Sequence, residues 1–138
     1  MDDERRQLDL PGDAGPLPLT VLYWPAEEFD QVLHRWPGFA ETCGTDHTQH
    51  RSRVEQRLRA LVDHDGPVAV GTASAEEYLQ FAEGRGDNAA SPATRGMYGA
   101  HLAYLGRVRA WPPEPDDPCW CGSGKAYKEC CRLLAGPT

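Results

Sequence analysis

The chain has 138 residues, 14 of them Lys or Arg and 21 Asp or Glu, for a formal net charge of −7. That length suits one domain with a real core, while the acidic balance disfavours general nucleic-acid binding, whose sequence-independent part comes from neutralising phosphates. No stretch approaches the roughly twenty apolar residues that span a bilayer, and Met1-Asp2-Asp3-Glu4-Arg5-Arg6 shows no apolar signal region, so a cytoplasmic protein with no membrane association is expected.

Residues 1–16 are charged and then rich in Pro and Gly, which predicts a disordered tail. Leu19 to Tyr23 reads as a buried strand. Pro25 opens a helix on which Phe29, Val32, Leu33 and Trp36 fall at i, i+3, i+4, i+7, one apolar stripe. Pro37-Gly38 ends it, and a polar loop follows to about Thr45. Thr45 or Asp46 can cap a second helix running to His64, with Val54, Leu58, Leu61 and Val62 inward. Its arginines 51, 53, 57 and 59, interspersed with Glu55, read as a solvated face.

Asp65-Gly66-Pro67 terminates that helix, and Val68-Ala69-Val70 reads as a second short strand. Ser74 and Glu77 make a capping box for a third helix, with Tyr78, Phe81 and Ala82 inward. Ser91-Pro92 caps a fourth, with Tyr98, Leu102 and Leu105 inward, and Val108 to Trp111 reads as a third strand. The order predicts a small α/β domain over residues 17–111, a parallel sheet with crossover helices. An all-helical domain is the alternative, since the leading strands are short. Residues 112–117 form a Pro-rich linker to a compact segment at 118–134.

That segment carries the strongest signal in the chain. Cys119-Trp120-Cys121 is followed, eight residues on, by Cys130-Cys131. Four thiolates so close can close one tetrahedral zinc site. Gly122 and Gly124 permit sharp backbone turns beside a metal, and Ser123 can cap a helix from Lys125 to Leu134. Disulfides are the competing reading. Each close pair is too tight for an easy internal bridge, and cross-bridging both pairs would strain so small a loop. Gly122-Ser123-Gly124-Lys125 imitates a phosphate-binding loop, but Cys119 stands where its first glycine belongs and Ala126 where its Ser or Thr belongs.

The run Pro118-Cys119-Trp120-Cys121-Gly122-Ser123-Gly124-Lys125-Ala126-Tyr127-Lys128-Glu129-Cys130-Cys131 resembles the SEC-C metal-binding motif. That motif is known from the C-terminal tail of the SecA preprotein translocase ATPase, where it docks the chaperone SecB, and it is appended to many otherwise unrelated proteins. The resemblance covers about fourteen of 138 residues. It implies Zn2+ as cofactor, with Cys119, Cys121, Cys130 and Cys131 as ligands, and another protein as partner, a chaperone or a ribosome-associated factor. Trp120, Lys125, Tyr127 and Lys128 would be the exposed contact residues around the knuckle. Ala126 and Glu129 stand where the motif is usually lysine.

The leading expectation is therefore a zinc-binding docking protein with no recognisable catalytic set. A pocket beyond the strand ends, with Glu27, Glu28 and His47, is the enzyme or small-ligand alternative. Glu27 and Glu28 equally complement a helix dipole there. Contact with RNA or the ribosome through Lys125 and Lys128 is a further alternative. Cys43, His47 and His50 could supply three ligands to a second metal, or be a loop cysteine and two histidines at a helix start.

Overall fold

The computed structural model describes residues 17–61 and 66–134. The expected disordered tail, the inward place of Val62 and the end of the second helix at His64 fall outside these residues. Strand β1 covers Leu19–Tyr23. Helix α1, Ala26–Arg35, follows Pro25, and its Phe29 and Val32 are buried. A 3-10 turn, Pro37–Phe39, leads into a short helix α2, Ala40–Cys43, where a plain loop was expected. Helix α3, His47–Ala60, starts at Asp46, whose carboxylate accepts from the Gln49 amide at 2.9 Å. Strand β2 is Val68–Thr72. Helix α4, Ala75–Arg85, is capped by Ser74, and helix α5, Pro92–Tyr104, by Ser91. Strand β3 is Val108–Trp111. Beyond the linker come a 3-10 turn at Tyr127–Glu129 and helix α6, Cys131–Leu134.

The fold is α/β. Three strands lie in the order β1-β2-β3. The pair β1 and β2 is parallel, as a crossover connection requires. Strand β3 adds antiparallel, with Val68 opposite Trp111, so the sheet is mixed.

Strand alternation divides the core into two clusters, one on each face of the sheet. On the first, Val21, Tyr23, Val68 and Val70 meet Val54 and Leu58 of α3 together with Cys119, Trp120, Tyr127 and Cys131. On the second, Trp24, Phe29, Val32, Tyr78, Tyr98 and Leu102 pack α1, α4 and α5 together. Helix α5 approaches this face closely. A Cβ on Gly71 would lie 3.0 Å from both Leu102 and Thr20, and one on Gly99 would lie 3.2 Å from the Thr20 carbonyl. The glycines are what let the helix sit there. Leu105, expected inward, is 47 % exposed, because the helix ends at Tyr104 and the chain turns away.

The C-terminal segment shares the first cluster and is not held by its linker alone. Glu55 is 0 % exposed, contrary to the solvated face expected of α3. Its carboxylate accepts from Trp120 Nε1 at 3.0 Å, Trp111 Nε1 at 3.3 Å, Arg59 Nε at 3.2 Å and the Tyr127 hydroxyl. Arg51, Glu55 and Arg59 stand at i, i+4, i+8, a single stripe turned toward that segment. Ser52 Oγ and Arg59 donate to the carbonyls of Leu134 and Arg132, which are end groups of short α6.

Removing the Glu55 carboxylate takes the acceptor from four buried or half-buried donors. Glu55→Leu is expected to lower the unfolding free energy by about 3 kcal/mol or more in urea titrations. Glu55→Gln, which keeps an acceptor, should lose less.

Candidate metal centre

The cysteine segment folds around its own sulfurs. Gly122 and Gly124 have φ of 81° and 86°, a left-handed backbone that glycine adopts freely. Ser123 Oγ accepts from the Lys125 amide at 3.2 Å, and Pro118 bridges Ala126 across the loop. The continuous helix expected from Lys125 to Leu134 does not form. Cys130 interrupts it with φ −130° and ψ −116°. Adjacent residues on one helix point to different faces, so this break lets Cys130 and Cys131 both reach the cluster.

The ligand atoms of Cys119, Cys121, Cys130 and Cys131 all lie within 4.8 Å of one another. Cys121 and Cys130 are 3.5 Å apart at sulfur, and all four cysteines are free thiols. A tetrahedral ion with bonds of about 2.3 Å needs sulfurs about 3.8 Å apart. The donor set therefore fits one thiophilic metal ion, and its four positions leave none open. Left to themselves the thiols titrate against each other. Hydrogen bonding with Cys119 holds Cys121 far below the ordinary thiol value. The same contacts, with burial, push Cys119 and Cys131 up. A bound cation would relieve that opposition by favouring every thiolate at once.

One residue of the site was not read from the sequence. Arg51 of α3 points a guanidinium N–H at three of the sulfurs, at 3.7 Å from Cys130, 3.8 Å from Cys131 and 4.0 Å from Cys121. It supplies positive charge outside the ligand set. Ser123 Oγ lies 3.2 Å from Cys130 Sγ. Arg109 of β3 donates to the carbonyls of Cys119 and Pro118, fixing the first ligand pair to the sheet. The Tyr23 hydroxyl donates to the Cys121 carbonyl at 3.1 Å.

The expected contact residues divide. Lys125 and Lys128 are exposed, and Lys128 pairs with Asp116 at 2.8 Å. Trp120 and Tyr127 are buried, at 2 % and 5 % exposure, because both donate to Glu55 and join the first core cluster. Burial followed by the bond to Glu55 drives the Tyr127 hydroxyl pKa upward, so it stays a donor.

Beside the cluster a groove of about 640 Å³ opens at the C-terminal ends of β1 and β2. Tyr23, Glu27, His47 and Thr72 line it from the domain, and Ser123 and Lys125 from the knuckle. Glu28 is elsewhere, accepting the Ala75 amide at 2.9 Å at the start of α4. His47 Nε2 lies 3.2 Å from the Tyr23 hydroxyl and 3.1 Å from the Trp24 carbonyl. His50 Nε2 accepts from the Trp24 amide at 2.9 Å, and burial, aided by nearby His47, lowers its pKa to about 4. Among the described residues, Cys43, His47 and His50 do not form a group that could hold a metal.

Two family models match the chain. The family model described as a domain of unknown function, DUF8829, matches residues 18–113. The chain belongs to that family. The SEC-C motif matches residues 117–133, which bears out the resemblance carried by the cysteine run. No curated protein and no solved structure matches the chain. The motif and the four-cysteine cluster together point to metal binding in this DUF8829 member.

Native mass spectrometry should find one metal ion per chain, lost in Cys130→Ser. Arg51→Gln should keep the ion but weaken its hold about tenfold or more in chelator competition, the scale of outer-shell effects on metal affinity.

Proposed function

We propose that this protein is a zinc-binding docking protein of the cytoplasm. Zinc would hold the knuckle against α3 and the sheet, so that the two together present one groove to a protein partner. Four thiolates favour a soft ion, and a closed tetrahedral set suits structural zinc over catalytic zinc. Free cysteines suit a reducing compartment. The observation that carries the docking reading is the composite groove, lined partly by the α/β domain and partly by the knuckle. Of the cations around it, Arg51 faces the sulfurs and Arg109 is bonded to carbonyls, which leaves Lys125 exposed at the rim.

A second reading places a small ligand or a reaction in the same groove, since Glu27 and His47 line it. The His47 ring is already engaged with Tyr23 and the Trp24 carbonyl, which favours docking. RNA contact draws less support still, because the chain is acidic and Lys128 is paired with Asp116.

Proteins co-purifying with the wild-type chain should fall about tenfold with Lys125→Glu, given the cost of a reversed charge at an interface. They should persist with Lys128→Glu, whose side chain does not line the groove. An unchanged set with Lys125→Glu would overturn the contact assignment.

A further inference from the structure

A second cavity lies away from the metal cluster, between α3 and α5 at the β1 edge of the sheet. It has a volume of about 180 Å³. Its walls are Val21, Leu22, Trp24 and Val54, and Arg53, Arg57 and Arg95 stand around it. Among the described residues, no carboxylate forms an ion pair with any of these three arginines, although acidic side chains outnumber basic ones in the chain.

Arg53 and Arg57 are at i, i+4 on the α3 stripe next to the one that meets the knuckle. Arg95 comes from the first turn of α5, where the positive end of a thirteen-residue helix dipole adds to the field. Two of the three guanidinium groups are held in place. Arg53 donates to the Glu41 carbonyl at 2.8 Å. Arg95 donates to Thr42 Oγ1 at 2.8 Å and stacks 4.0 Å over the Phe39 ring. The Arg95 Nε–H is buried and meets no acceptor. A buried donor without an acceptor is costly, and a guanidinium fork matches an oxyanion.

We propose that this cavity binds a small oxyanion-bearing molecule, a carboxylate or phosphate read by Arg53, Arg57 and Arg95, with a short apolar stem against Val21, Leu22 and Val54. The volume is about six times a water's share of the liquid, enough for such a molecule and too little for a folded segment. The site is separate from the knuckle groove and does not depend on the docking reading.

The test is a titration of the full, metal-loaded chain with inorganic phosphate at fixed ionic strength, followed by backbone amide NMR. Saturable shifts at Thr20, Thr42 and Gly96 are expected. Arg53→Gln with Arg57→Gln should weaken binding about tenfold or more, and Arg35→Gln on α1 should leave it unchanged. Arg57→Gln alone serves if the double variant does not fold, since among the described residues the Arg57 side chain makes no ion pair or hydrogen bond. Non-saturating shifts spread over the other arginines, or equal binding by the Arg57 variant, would overturn the site. Tighter binding of hexaglutamate, with shifts running along α3 beyond the cavity, would overturn the small-molecule reading in favour of an acidic protein tail.

Discussion

A carboxylate taken out of water has to be surrounded by donors, and Glu55 draws its donors from three parts of the chain. Arg59 comes from the same helix, Trp111 from the last strand, and Trp120 and Tyr127 from the cysteine segment. Trp120 and Tyr127 stand beside the cysteine ligands in sequence, so their bonds to Glu55 seat the metal loop against α3. The edge of Trp120 against Tyr23, 5.0 Å between centroids, extends the same contact to β1. A seventeen-residue motif that would otherwise be a free appendage becomes part of the first core cluster.

The charges on α3 follow from that arrangement. A divalent ion with four thiolates carries net negative charge, and Arg51 lies where it offsets it. Glu55 is matched by Arg59 four residues on. The next stripe, Arg53 and Arg57, faces a different cavity and has no such match among the described residues. One helix thus supports the knuckle with one set of charges and leaves a second set unopposed.

Much of the fold was legible. Leu19–Tyr23 is the strand its apolar run implied, the α1 stripe is buried at Phe29 and Val32, and Asp46, Ser74 and Ser91 cap the helices that follow them. These are local signals, set by period and by side-chain competition for backbone amides. The four cysteines converge because their spacing permits little else. What was not legible depended on partners far along the chain. A stripe of Arg, Glu and Arg looks alike whether it meets water or two indole N–H groups, so Glu55 and Arg51 were read as surface. Trp120 and Tyr127 were read as exposed for the same reason: sixty-five and more residues separate them from Glu55. The break at Cys130 replaced the expected helix because two adjacent ligands cannot share a helix face.

The central claim is that metal loop and α/β domain form one cooperative unit. The direct measurement is amide hydrogen exchange on the metal-loaded chain and on the same chain after chelation. Chelation should lower protection at Val21, Tyr23, Val54 and Leu58 as well as in the cysteine segment, because their shared cluster loosens. Protection lost only within residues 112–134, with β1 and α3 unchanged, would contradict it.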